Sequence, residues 1–126
     1  MKSETLDLIQ NKQIAKGDVF EVARLAGIMA AKKTDSLLPL CHGLPIEGVE
    51  INFRAEGDST VTIESHVETF AKTGVEMEAL VAVSTAALTL YDMCKSIDRE
   101  MNIERIQLEE KLGGKSGHFL RQAKEE

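Results

Sequence analysis

The sequence has no basic stripe, no paired cysteines and no apolar run long enough for a bilayer, and each absence removes a class of function. Fifteen Lys and Arg stand against 21 Asp and Glu, a formal net charge of -6. The two signs are mixed along the chain, so no surface of the kind that attracts a phosphate backbone is expected, and nucleic acid is not an expected partner. Cys41 and Cys94 are far apart, with no Cys-x-x-Cys spacing and no apolar leader at the first residues. A secreted disulfide framework is therefore not expected, and the cytoplasm is the default compartment. The longest uncharged run, Ala79 to Tyr91, is shorter than the roughly 20 residues a membrane helix needs and contains Ser84, Thr85 and Thr89. It reads as a buried helix, and no membrane partner is expected. No internal repeat, low-complexity stretch or linker divides the 126 residues. That length suits one core, so a single domain over 1–126 is expected.

What the sequence does have is clear periodicity. Ser3 to Ile9 predicts a short helix with Ser3 as its cap and Leu6 and Ile9 on one side. Asp18 predicts the start of a second helix, in which Val19, Val22, Ala23, Ala26, Met29 and Ala30 recur at helical spacing until about Thr34. After a loop from Leu37 to Pro45, Val49, Ile51 and Phe53 alternate with polar residues, and Thr60 to Val67 repeats that two-residue period. Glu56-Gly57-Asp58 between them predicts a hairpin turn. Leu80, Val83, Ala87, Leu90, Cys94 and Ile97 then form a stripe on a central helix from Val75 to about Ile97. Ile103, Ile106 and Leu108 suggest a last strand, and Gly113-Gly114 ends regular structure. The order helix, helix, strand, strand, helix, strand predicts an α+β fold with helices on one face of an antiparallel sheet.

Against that frame, Asp92 and Lys95 draw attention. They stand three residues apart, within reach on one helical face, after thirteen uncharged residues. Burial of Asp92 against a second apolar surface is expected, with a carboxyl pKa raised by burial and lowered again by the lysine. A coupled carboxyl and ammonium suit proton transfer, although on spacing alone a structural ion pair is the commoner case. Gly113-Gly114-Lys115-Ser116-Gly117 is not a Walker A loop, because Glu109 stands where the first glycine belongs. Its amides and Lys115 still suit an anion, and a mobile tail is the plain alternative. Cys41-His42 lies in a loop braced by Pro39 and Pro45; adjacent residues seldom share one zinc ion, so no metal site is expected and His42 reads as a ligand contact or proton shuttle, with a plain loop histidine the commoner alternative. Glu76 and Glu78 favour the positive end of the central helix and are also suited to accept hydrogen bonds from ring N–H groups. Lys16, beside the Gly17-Asp18 turn, is a further anion candidate. Glu78 and Asp92 are fourteen residues apart on one helix, about 21 Å, so one small ligand meets both only at a contact between subunits.

Leu38-Pro39-Leu40-Cys41-His42, Lys72-Thr73-Gly74-Val75-Glu76-Met77-Glu78-Ala79-Leu80, Tyr91-Asp92-Met93-Cys94-Lys95 and Gly113-Gly114-Lys115-Ser116-Gly117 together resemble the cyclic pyranopterin monophosphate synthases, the MoaC family. Ala26-Gly27-Ile28-Met29-Ala30-Ala31-Lys32 adds a fifth segment, and the likeness runs from about Ser3 to Phe119. The resemblance implies a ferredoxin-like α+β subunit in a hexamer built as a trimer of dimers, with sites at subunit contacts. It implies conversion of 3′,8-cyclo-7,8-dihydro-GTP to cyclic pyranopterin monophosphate with release of pyrophosphate. No cofactor is implied, apart from Mg²⁺ carried by the triphosphate. By the resemblance, Asp92 and Lys95 are the acid/base pair and Lys115 a catalytic cation. Leu40, Cys41, His42, Met77 and Glu78 are substrate-binding positions, supported by Glu76 and Lys16. The family pattern also carries an N-terminal arm and first strand ahead of the segment matching Lys2 to Leu6, which this sequence lacks. It usually has proline where Gly43 stands, so a looser loop is expected here. The alternative is a relative that binds a nucleotide or pterin, or assists assembly, without full activity.

Overall fold

The computed structural model describes residues 1–71 and 73–123. Its elements are α1 (Ser3–Gln10), α2 (Val19–Ala31), α3 (Thr34–Leu37), β1 (Gly48–Glu56), β2 (Thr60–Glu68), α4 (Glu76–Cys94), β3 (Glu110–Lys111) and β4 (Phe119–Leu120). The α+β arrangement is the expected one: α2 and α4 pack against each other and lie on one face of the β1–β2 pair.

The hairpin forms where the alternation placed it. β1 and β2 run antiparallel from Gly48 opposite Glu68 to Glu56 opposite Thr60, joined through Gly57, whose φ of +66° a residue with a Cβ adopts only at a cost. Ile51, Phe53 and Ile63 face the helices, while Asn52, Arg54 and Glu64 face outward. Arg24 of α2 donates from Nε to the Ile51 carbonyl at 2.9 Å and lies over the Phe53 ring at 5.4 Å. Phe53 in turn stacks on Phe20 at 4.8 Å. Ser65 donates to the Ala79 carbonyl at 2.7 Å, tying the sheet to α4.

Small residues let the layers approach closely. Ala23, Ala31, Ile51, Ala82 and Ala86 form one buried cluster, and a Cβ added to Gly27 would lie 2.3 Å from Ile51 and 2.8 Å from the Ala82 carbonyl. Ile9, Val19, Leu90, Met93 and Cys94 form a second cluster toward the other end of α4.

Four expectations need correction. The buried face of α4 is Glu78, Ala82, Ala86, Leu90, Met93 and Cys94, and the helix ends at Cys94; Leu80, Val83 and Ala87 lie beside that face and are only half-buried. By length and apolar composition α4 is the one helix among the described residues suited to a bilayer, longer than its uncharged core indicated. It packs here on α2 and β2. Ser3 is not the cap of α1: Lys2 holds that position, and its amide donates to Asp98 Oδ2 at 2.8 Å. Thr5 donates to the same oxygen at 2.9 Å. Burial raises the Asp98 pKa, but those two hydrogen bonds and the nearby positive charges bring it below the usual carboxylate value. Finally, Ile103 to Leu108 is not a strand. Arg105 sits at φ +48°, and no strand among the described residues pairs with the segment.

Candidate functional site

α4 carries the candidate residues at its two ends, and the ends are built differently. At the C-terminal end Asp92 Oδ1 lies 2.8 Å from Lys95 Nζ, with the side chains 62% and 51% exposed. This overturns the expectation that Asp92 is buried in the subunit. The helix buries the face of Leu90, Met93 and Cys94, and Asp92 falls off it. Lys16 reaches the same place from the turn before α2. That turn closes with Gly17 at φ +127°, and Asp18 then caps Glu21 at 3.3 Å. Lys16 Nζ donates to the Asp92 carbonyl at 3.3 Å.

The pKa directions follow from these contacts. Hydrogen bonding to Lys95, then its charge, then that of Lys16 hold the Asp92 carboxyl below its ordinary value; of the two opposed effects expected, the lowering by the lysine outweighs the raising by burial. The same hydrogen bond and the Asp92 charge push the Lys95 ammonium up. The two groups are therefore a carboxylate and an ammonium at neutral pH, one able to accept a proton and the other to donate one.

At the N-terminal end Glu78 is only 3% exposed, and among the described residues no hydrogen bond holds its carboxylate. It lines a cleft of about 170 Å³ with Lys32, Thr34, Asp35, Gly43 and Leu44. Cys41 stands close by. Burial, then the charges of Glu78, Asp35 and Glu76, push its thiol up, which keeps it protonated and unsuited to be a nucleophile. Gly43 leaves room for Asp35, whose Oδ2 would be 2.7 Å from a Cβ there. The expected loosening of the loop is thus accompanied by a carboxylate in the vacated space. Leu40 is 93% and Met77 39% exposed, and His42 is exposed as well.

Glu76 opens α4 with Oε1 3.9 Å from Lys111 Nζ, while its Oε2 is buried without a partner among the described residues. Lys111 also donates to Ser116 Oγ at 2.7 Å. A Cβ on Gly74 would come within 2.4 Å of Glu76 Oε2 and 2.6 Å of Lys111 Cε. The glycine-rich loop, with Gly113 and Gly114 both at φ +77°, folds back toward this helix end. Among the described residues the cation paired with Glu76 is therefore Lys111, which the motif reading passed over; Lys115 lies on the exposed turn. The only sequence signal for Lys111 was its place just before Leu112-Gly113. Lys72, the first residue of the second motif, lies outside the described residues. Among the described residues no three His, Cys, Asp or Glu are grouped to hold a metal ion.

Within one chain the structure brings together Lys16, Asp92 and Lys95, and separately Cys41, Glu76 and Glu78. It does not join the two groups, since Glu78 and Asp92 are about 21 Å apart along the helix.

Residues 1–114 match the model of the MoaC family. A cyclic pyranopterin monophosphate synthase of Desulfitobacterium hafniense is 58% identical over 122 residues, 97% of this chain and 75% of the relative. Those of Heliobacterium modesticaldum and Magnetococcus marinus are 59% and 58% identical over 97% and 99% of the chain, which spans 77% of each. The chain belongs to the MoaC family.

Proposed function

We propose that the chain is a cyclic pyranopterin monophosphate synthase, a lyase of molybdenum cofactor biosynthesis. It converts 3′,8-cyclo-7,8-dihydro-GTP to cyclic pyranopterin monophosphate and releases pyrophosphate. The observation that carries the reading is identity of 58% over 97% of the chain to a relative of that name. The geometry agrees with it chemically. Glu78 and Glu76 Oε2, which has no partner among the described residues, are acceptors suited to ring and amino N–H groups, Leu40, Cys41, His42 and Met77 surround the ring, and Lys111 and Lys115 offset triphosphate charge. Forming the cyclic phosphate joins a sugar oxygen to the α-phosphorus and breaks its bond to pyrophosphate. Asp92 as carboxylate and Lys95 as ammonium, with Lys16 beside them, move the protons this and the ring opening require.

The two ends of α4 work together across a contact between chains in a homohexamer, a trimer of dimers. Exposed Val22, Leu25 and Met29 on α2, at 42%, 58% and 50%, supply apolar surface for such contacts. The enzyme acts in the cytoplasm with no resident cofactor, Mg²⁺ arriving on the substrate. The test is incubation with the cyclo-dihydro-GTP, following pyrophosphate and pterin product. Equal amounts of both are expected. Tight binding without pyrophosphate release would overturn the reading in favour of a ligand-binding or assembly role.

A further inference from the structure

Position 43 decides where the side chain of Asp35 lies. A Cβ built on Gly43 would stand 2.7 Å from Asp35 Oδ2 and 3.3 Å from its carboxyl carbon, closer than unbonded atoms comfortably pack. With glycine there, the carboxylate occupies the space instead. Hydrogen bonds hold the backbone around it. Buried Thr34 donates from Oγ1 to the Ala31 carbonyl at 2.9 Å, which ties α3 to the end of α2. The amides of Leu38 and Cys41 donate to the carbonyls of Thr34 and Leu38 at 3.0 and 3.1 Å. Asp35 is thus set on a bonded turn that leads into the loop of Leu40 to Gly43.

The carboxylate shares the cleft of about 170 Å³ with Lys32 and Glu78. Glu78 is buried, and among the described residues no hydrogen bond or ion pair takes up its carboxylate or that of Asp35. A cleft below the usual volume for a whole ligand takes the edge of a ring. Its walls offer two carboxylate acceptors and one ammonium donor. The edge of an amino-oxo pyrimidine ring is the complement: the amino group and a ring N–H donate, and the carbonyl oxygen accepts. The amino group is also what distinguishes guanine from a ring that lacks it. One carboxylate takes the ring N–H and one amino N–H in parallel. The other amino N–H is left for a second acceptor.

We infer that Asp35 is a further specificity-determining residue of this site: beside Glu78, it accepts the second amino N–H of the substrate ring, and Gly43 is the residue that admits it. The inference rests on the function proposed above and adds to it a side chain that reads the ring's amino group. The charge of Asp35 reaches the same loop in the free chain, where burial and then Glu78 push the Cys41 thiol up and Asp35 is the next contributor. Asp35 moves no proton in the reaction, so its effect falls on binding.

Guanosine triphosphate and inosine triphosphate differ only in the ring amino group, so the ratio of their affinities isolates the contact. The charge removed with Asp35 acts on both alike and cancels. In calorimetric titrations the wild-type chain is expected to favour the guanosine nucleotide by at least about tenfold. Asp35→Ala is expected to cut that preference about fivefold, the loss of one hydrogen bond to a charged acceptor. Gly43→Ala, whose Cβ displaces the carboxylate, is expected to cut it equally, and the double variant no further, because both changes empty the same place. With the cyclo-dihydro-GTP, both single variants are expected to raise KM and leave kcat unchanged. An unchanged preference in Asp35→Ala, or a double variant that loses more than either single one, would overturn the inference. So would a wild-type chain that binds the two nucleotides equally or binds neither, or a lowered kcat with KM unchanged. The nucleotide ratio decides the role of Asp35, whereas pyrophosphate release by the wild-type chain decides the reaction, and the two can fail separately.

Discussion

The two ends of α4 hold their charged groups in opposite ways. At the C-terminal end Asp92, Lys95 and Lys16 are exposed and satisfy one another. At the N-terminal end Glu78 is buried, and Glu76 has an oxygen without a partner among the described residues. A carboxylate taken from water with nothing bound to it costs several kcal/mol unless something else supplies the donor. On the proposed function, the difference separates a unit complete in one chain and suited to proton transfer from a unit that a ligand completes. Exposure also has a meaning of its own, since an acid/base pair in open water lacks the shelter that raises its effect. Under that proposal the C-terminal end takes its cover from outside the subunit, and the N-terminal end takes an occupant.

The largest expected effect tests the chemical end. Lys95→Ala or Asp92→Asn is expected to lower turnover by at least about 100-fold, the usual contribution of a positioned acid or base. Melting temperature and oligomer size should not change, because an exposed ion pair adds little stability. Wild-type turnover in both variants would make the pair an ordinary surface contact.

Mixing tests whether the ends meet across chains. Glu78→Ala and Lys95→Ala chains are each expected to be inactive. After subunit exchange, about a quarter of the sites should combine two intact halves and recover activity to that extent. Native mass spectrometry confirming mixed oligomers with no recovered activity would place each site within one chain.

A smaller effect sharpens the ligand-bound end. Lys111→Met is expected to weaken a triphosphate ligand by about tenfold, the equivalent of about 1.4 kcal/mol, and to affect an unphosphorylated pterin much less. Lys115→Ala is expected to do the same more weakly, with an effect that fades as salt is added, since an exposed contact is screened. Calorimetric titrations at two salt concentrations distinguish the two lysines.

The fold was largely legible because its signals are local. Alternation at Val49, Ile51 and Phe53 and the Gly57 turn placed the hairpin, and Asp18 placed the start of α2. What failed depends on distant partners. The Asp98 cap of α1 joins residues more than ninety positions apart, which no periodicity records. Ile103 to Leu108 has a strand's pattern but no partner among the described residues. Asp92 was misplaced because an uncharged helix was taken to be buried on every side, whereas Ala82, Ala86, Leu90 and Met93 define one covered face. At the site, the spacing of Asp92 and Lys95 was enough to pair them, while Lys111 became visible only when the chain folded it onto Glu76.

The smallest expected effect concerns titration at the exposed end and separates its two cations. Lys95 is the principal cause of the lowered Asp92 pKa, through its hydrogen bond and then its charge, with Lys16 a lesser contributor. A depressed carboxyl is ionised at lower pH than the ordinary value of about 3.9, so the wild-type carboxylate survives until the solution is more acidic than that. The raised Lys95 stays protonated above its ordinary pKa of about 10.4. The pair is thus fully charged throughout the neutral range, and its small contribution to stability is lost on the acid side as Asp92 takes up its proton. Removing Lys95 as alanine should move the Asp92 midpoint upward, toward the ordinary value, while Lys16→Ala moves it in the same direction by less. Carboxyl carbon chemical shifts followed by NMR from pH 2 to 6 measure both. A larger shift for Lys16→Ala than for Lys95→Ala would reverse the order of the two contacts and make Lys16 the partner that sets the charge of the site.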